Sequence, residues 1–328
     1  MINVGEQMLL EPKTCQVVVI GGGSVGLLYA ARLALAGQPV TIVTRSSLQA
    51  NQLNERGLSF QRLDGETVTV PIVARPIEEG LPEGNLYLLT VKQPDLHSVL
   101  PALQGLNHEA RVIALQNGMG HYELLRTVLT EMQCFFAINT EGARRLSATE
   151  VVHTGTGTLR VGSWETSDRN DPLIRTFVEW ALSTGMEAVY EKAIQPFAWR
   201  KLIANALINP LTALFEIPNG ALLENSHTQH LMRALFVEAA AVAAYAGQKI
   251  EDADLQEIVS ICRNTSRNLS SMLQDIKKRR PTEVQSINGY LVQVGKKAGI
   301  PTPLHETLLR VILLKSDMGI RKEGGDSR

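Results

Sequence analysis

The alternation of apolar and polar positions divides the chain into two regions of different rhythm. Gln16 to Ile20 reads Q-V-V-V-I, a short β-branched run suited to a strand covered on both faces. It leads directly into Gly21-Gly22-Gly23-Ser24-Val25-Gly26 and then L-L-Y-A-A-R-L-A-L-A-G, a helical pattern that stops at Gly37. A second strand is predicted over residues 39–44, and residues 57–73 alternate in β fashion around Asp64-Gly65, a hairpin turn. Further strands are predicted at 85–91, 111–115, 134–138, 151–152 and 158–161, with a helix at 172–183. From residue 193 the pattern is helical, with segments at 193–209, 219–223, 229–247, 252–261, 264–278, 282–298 and 303–314. The expected architecture is an α/β domain over residues 1–192 followed by an all-helical domain over 193–328. Residues 1–14 read as a loose extension and 315–328 as a frayed tail.

The passage from first strand to first helix has the form of a dinucleotide-binding βαβ unit. Gly21 permits the tight turn, Gly23 lets a diphosphate approach the backbone, and Gly26 lets helix and strand pack closely. Gly22, Ser24 and Val25 complete the turn, and the helix N-terminus meets the phosphate charge. The same letters, Gly22 to Gly26, also spell G-x-S-x-G, the nucleophile elbow of hydrolases. A hydrolase needs an acid and a His downstream, and nothing around His153 or His305 marks a triad, so the elbow reads as coincidence.

The end of the second strand bears on the cofactor. An NAD-type site places an acid there, whereas this chain has Thr44, Arg45, Ser46 and Ser47, with no acid until Glu55. A cation and hydroxyls suit the 2′-phosphate of NADP(H). Lys92 and Asn117 follow two later strands, where ligands of open α/β sheets bind, although a strand-end Lys is more often just solvated.

One stretch of the helical region departs from ordinary patterning. Trp199 to Pro210 reads W-R-K-L-I-A-N-A-L-I-N-P, an apolar helix carrying Lys201, Asn205 and Asn209 at four-residue steps. At about 100° per residue those three fall on one narrow stripe. Pro210 is expected to end the helix. A single such Lys would be read as snorkelling outward; three polar groups in register favour a site. Desolvation would lower the Lys201 pKa toward the range of a general acid, and neutral carboxamides bind carboxylate or hydroxyl without adding charge.

Composition narrows the remaining classes. The 328 residues are 44% hydrophobic and 20% charged, enough for a sizeable core. With 32 basic and 33 acidic residues there is no global field for nucleic acid or an anionic membrane. Cys15, Cys134 and Cys262 are widely spaced and odd in number, which implies neither a disulfide framework nor a metal site. His227 and His230 read as a surface pair. The longest apolar stretch, from Ala234 to Gly247, is too short to span a bilayer, and no signal peptide is evident. The expectation is a cytoplasmic protein without metal, monomeric or homodimeric.

Taken together, the motifs resemble the ketopantoate reductases (2-dehydropantoate 2-reductases). The likeness runs from about Cys15 to Leu314. It rests on Q-N-G-M-G at 116–120, A-R-R at 143–145, W-R-K-L and N-P-L-T-A-L within 199–214, P-N-G at 218–220, S-S-M-L-Q-D-I at 270–276 and T-E-V-x-x-I-N-G at 282–289. The resemblance implies a Rossmann-like first domain and NADPH-dependent reduction of ketopantoate to pantoate, on the route to coenzyme A. It also implies roles: Lys201 as general acid, with Asn117, Asn205, Asn209, Asn219 and Ser271 as substrate-binding positions. Cofactor contacts would come from Gly21 to Gly26, Arg45, Lys92, Asn117, Ala143 and Glu283, the last also able to pair with Lys201. Gln285, where an acid is common in the family, and Gly142 depart from the pattern and leave room for a related 2-oxo acid as substrate. A non-catalytic NADP-binding sensor would have no need for the stripe.

Overall fold

The computed structural model describes residues 15–164 and 170–324. The first half contains β1 (Val17–Ile20), α1 (Ser24–Leu35), β2 (Val40–Thr44), α2 (Ser47–Arg56), β3 (Leu58–Gln61), β4 (Thr67–Val70), β5 (Val73–Pro76), β6 (Leu86–Leu89) and α3 (Leu96–Leu103). It continues with β7 (Arg111–Ala114), α4 (His121–Leu125), β8 (Cys134–Asn139), β9 (Gly142–Arg145), β10 (Glu150–Gly155), β11 (Thr158–Gly162), α5 (Pro172–Ser183) and β12 (Glu187–Glu191). Helices then take over: α6 (Gln195–Phe215), α7 (Ser226–Tyr245), α8 (Asp252–Asn264), α9 (Ser271–Lys277), α10 (Val284–Ala298) and α11 (Pro303–Gly324).

The main sheet has eight strands in the order β12-β11-β8-β7-β6-β1-β2-β5. From β8 to β5 every neighbour is parallel, while β11 runs antiparallel to β8. β1 lies in the middle and is buried on both faces: Val17 and Val19 pack in the core that includes α1, Val18 and Ile20 in the core that includes α3. That double burial is why its sequence is continuously apolar.

A second sheet, ordered β4-β3-β10-β9, packs on the far side of α1. Leu27, Leu28, Tyr29, Ala30 and Ala31 of α1 are consequently all at most 1% exposed, each of the larger ones contributing about 1.5–3 kcal/mol by burial. The Asp64-Gly65 hairpin joins β3 to β4 as expected. The strand β9 was not anticipated, because G-A-R-R has no apolar alternation; it is held by its backbone register with β10. Arg32 is sealed inside this sandwich, donating to the Thr184 carbonyl at 2.9 Å and lying 3.6 Å from Glu141, which also bonds His153. Its buried charge is thereby paired.

In the helical half, α6 is the central element, packed against α7, α9, α10 and α11. Pro210 does not end it; the helix continues to Phe215. An interior proline costs roughly 3 kcal/mol, partly because the carbonyl four residues back loses its donor. Here that carbonyl, Ala206 O, accepts from the Asn288 side chain of α10 at 3.0 Å. The Asn288 amide also meets His305 Nδ1 at 3.0 Å, and His305 Nε2 reaches the Leu235 carbonyl at 3.0 Å. A neutral ring protonated at Nε2 satisfies both contacts, and burial lowers the His305 pKa in agreement.

Two further expectations are corrected. Residues 264–278 do not form one helix: α8 stops at Asn264, and Ser270 opens α9 by accepting from Leu273 N at 3.2 Å. The tail does not fray at Lys315, because α11 runs to Gly324 and Lys315 binds the Leu214 carbonyl at 3.2 Å and Glu216 at 2.7 Å. The expected loose extension, 1–14, and the last residues, 325–328, lie outside the described residues. Among the described residues no helix is long and apolar enough to cross a membrane, and no group of side chains could hold a metal ion. Cys15, Cys134 and Cys262 are free thiols.

Asn288→Ala should destabilise the protein by about 1–3 kcal/mol, since it strands a carbonyl and a ring nitrogen. Pro210→Ala returns a backbone donor to Ala206, so in that background the cost of Asn288→Ala should shrink. A double-mutant cycle from urea midpoints checks this, and strictly additive effects would contradict the assignment.

Candidate active site

Strand order reverses between β1 and β6, and the loops leaving their carboxyl ends open a crevice there. Gly21 turns with φ 118°, and a Cβ on Gly26 would lie 1.9 Å from the Gly21 carbonyl, so neither position admits a side chain without rearrangement. Gly23 differs: a Cβ there would meet nothing within 4 Å, and as N-cap of α1 it offers no side-chain acceptor to the helix amides. Open space above uncapped amides is what a diphosphate needs, so the turn fits a dinucleotide. The turn is held by Gln49 and Arg145, each donating to the Gly22 carbonyl at 2.9 Å, and by Thr90 Oγ1, which donates to Gly21 O at 3.1 Å.

Two cavities flank the turn. The first, of about 320 Å³, takes in Gly22, Gly23, Thr44, Arg45 and Ser46. Asp95 also lines it, 3.9 Å from the exposed Arg45 guanidinium. The sequence offered no sign of this acid beside Arg45, because it arrives from the segment after β6, not from the end of β2.

The second cavity is a cleft of about 650 Å³ between the halves, and it gathers Gly23, Ser24, Val25, Lys92, Asn117 and Ala143 with Ser271 and Glu283. The Q-N-G-M-G loop explains how Asn117 gets there. Gln116 donates to the carbonyls of Leu89 and Val91, fixing the loop to β6, while Met119 N donates to the Ser286 carbonyl at 2.8 Å. Gly118, at φ 76°, passes so close to Ser286 that a Cβ would sit 2.4 Å from that carbonyl. Asn117 Nδ2 then donates to Glu283 Oε2 at 3.3 Å. Burial pushes the Glu283 carboxyl up, opposed by the nearby Lys92 charge and the Asn117 bond. Lys92 itself is paired with buried Asp275 at 2.7 Å.

Lys201 and Asn205 line a different cavity of about 260 Å³, together with Ile138, Arg160, Phe197 and Ile208. The Lys201 ammonium, for which Glu283 was one possible partner, donates to the Asn139 carbonyl at the end of β8, at 2.7 Å. Desolvation brings its pKa down to about 8, with the Glu283 charge opposing the fall. Asn209 and Asn219 are buried, and the Asn219 amide donates to Thr265 Oγ1 at 2.9 Å. The four-residue stripe is therefore real as helix geometry, but its members divide between a cavity wall and the core. His153 and His305, the possible partners of a hydrolytic Ser24, are spent on Arg32 and Glu141 and on Asn288 and Leu235.

Comparison with known proteins places these features. The family description "Ketopantoate reductase PanE/ApbA" matches residues 17–166, and its C-terminal counterpart matches residues 193–316. A curated 2-dehydropantoate 2-reductase of Vibrio cholerae is 33% identical over 300 residues, covering 90% of this chain and 96% of its own. The chain belongs to the ketopantoate reductase family. A family member from Ralstonia eutropha has a solved structure with a TM-score of 0.84 at 26% identity, covering 93% of this chain and 99% of its own. A D-mandelate dehydrogenase solved with NADH and anilino(oxo)acetate gives 0.85 over 93% of this chain and 99% of its own, at 22% identity, a likeness of fold alone. The A-R-R segment that carries the family resemblance contributes Arg145 to both cavities beside the glycine turn, a position that spacing alone did not single out.

The two glycines should respond differently to a methyl group. Gly26→Ala should lower thermal stability, because helix and turn must separate, by about 1–3 kcal/mol. Gly23→Ala should melt like the parent yet bind dinucleotide more weakly, measured by calorimetric titration with NADPH. Equal melting losses in both variants would contradict the open-cradle reading.

Proposed function

We propose that this protein reduces ketopantoate (2-dehydropantoate) to (R)-pantoate with NADPH, in pantothenate and coenzyme A biosynthesis. The carrying observation is similarity to 2-dehydropantoate 2-reductases along nearly the whole chain, joined to a partly buried amine of lowered pKa that feels the charge of Glu283 in the interdomain cleft. Bound NADPH supplies the hydride. The protein's own residues then have three tasks: holding the dinucleotide, orienting the keto acid and supplying a proton to the oxygen.

For the first task, Gly21 to Gly26 cradle the diphosphate and Arg45 takes the 2′-phosphate. Lys92, Asn117, Ala143 and Glu283 hold the nicotinamide half. For the second, Ser271, Asn117 and Asn205 face the two cavities and bind carboxylate and hydroxyl groups, with Asn209 and Asn219 shaping the helices behind them. For the third, Lys201 exchanges the Asn139 carbonyl for the substrate's keto oxygen and donates its proton as charge develops there. A pKa near 8 suits that donation at neutral pH.

A second reading has one observation behind it. The cavity beside Lys201 is walled by Ile138, Phe197, Ile203, Ile208 and Ile258, which would accept a larger apolar substituent than two methyl groups. A panel of 2-oxo acids with NADPH oxidation as readout separates the readings: ketopantoate should give the highest kcat/KM.

Lys201→Ala should lower kcat by roughly 10²–10⁴-fold with NADPH affinity nearly intact. The acid must be protonated, so kcat should fall as pH rises through about 8. A flat profile to pH 10, or full turnover in the variant, would remove Lys201 from the role. Arg45→Asp should shift preference from NADPH toward NADH, read as the ratio of kcat/KM values.

A further inference from the structure

Two guanidiniums reach the interdomain cleft from opposite halves. Arg145 ends β9, on the side of the glycine turn, and Arg280 lies on the turn after α9. Both line the 650 Å³ cleft that contains Gly23 and Ser24. Arg145 is pinned there by its bonds to the carbonyls of Gly22 at 2.9 Å and Ser147 at 2.7 Å. Its pKa is lowered first by burial and then by the facing Arg280 charge, so the two cations feel one another.

Arg280 is only partly neutralised. It meets Asp275 Oδ1 at 2.8 Å, but the other oxygen of that carboxylate holds Lys92 at 2.7 Å. One buried carboxylate is thus shared by two cations. The backbone that presents Arg280 is itself unusual. Arg279 takes φ 50°, the left-handed position that glycine normally fills after a helix, and Arg280 N then bonds back to the Asp275 carbonyl at 2.8 Å. A disfavoured backbone is thus retained at the point where it aims a cation at the cleft. The uncapped start of α1 lines the same cleft.

We propose that Arg145 and Arg280 form a two-sided clamp on the diphosphate of the dinucleotide, Arg145 beside the glycine turn and Arg280 from the helical half. The proposal rests on the reading that the cleft takes NADPH. Guanidinium forks match pairs of phosphate oxygens, and their charge is what the diphosphate lacks. Arg280 does not line the cavity that holds Arg45, so its contact is with the diphosphate common to NADPH and NADH and not with the 2′-phosphate.

The test is equilibrium binding of NADPH and of NADH to the full-length protein, by calorimetry at low salt and without keto acid. A wrong choice of keto acid would not disturb it. Arg280→Ala should raise the Kd of both dinucleotides by a similar factor, roughly 10- to 100-fold, and Arg280→Lys should recover part of the loss. The Arg280 side chain is half exposed, so the variant should melt like the parent. The clamp is overturned by an unchanged Kd for both dinucleotides, or by a loss confined to NADPH, which would place Arg280 on the 2′-phosphate instead.

Discussion

The two halves of this molecule meet at a backbone contact too tight for a side chain. Gly118 lies against the Ser286 carbonyl, and the next amide, Met119 N, bonds to that same carbonyl. The loop that ends β7 is thereby fastened to the first turn of α10, while Gln116 fastens its other end to β6. Everything around the cleft depends on this joint. Asn117 comes within hydrogen-bond reach of Glu283 because the residues beside it cannot move apart. A methyl group at Gly118 would act at a distance, by shifting Asn117 and not by touching a ligand.

Much of the fold was legible because its strands are covered on both faces. β1, β6 and β7 read as apolar runs for the same reason that they occupy the centre of the sheet. β9 was illegible for the opposite reason. Gly142 to Arg145 lie at a sheet edge and are held by backbone pairing with β10, which leaves no mark on side-chain pattern. Pro210 misled because local sterics predict a helix end, whereas the missing donor is replaced by Asn288, distant in sequence and brought close only by tertiary packing.

The candidate site divides along the same line. The glycine turn, Arg45 and Lys92 stood out as candidates because each sits at a strand end, and all three line the two cavities beside the turn. The stripe of Lys201, Asn205 and Asn209 was readable as geometry, but helix periodicity does not say which cavity each member faces. Asp95, Asp275 and Arg280 were missed because they matter only through partners from other elements: Arg45, and then Lys92 and Arg145. Long-range charge pairing has no period.

The placement of α1 between two sheets has a consequence for how the chain is made. The face of α1 away from the main sheet is covered by β3, β9 and β10, and β3 pairs in parallel with β10, which follows it only much later in the chain. A growing chain that has not yet reached β10 leaves that face of α1 incompletely covered and Arg32 without its His153 contact. Completion of the nucleotide half therefore waits on late, non-local strand pairing, which closes slowly because a long loop must be ordered first. The glycine turn is therefore synthesised well before Arg145, the later residue that bonds the Gly22 carbonyl and completes its support.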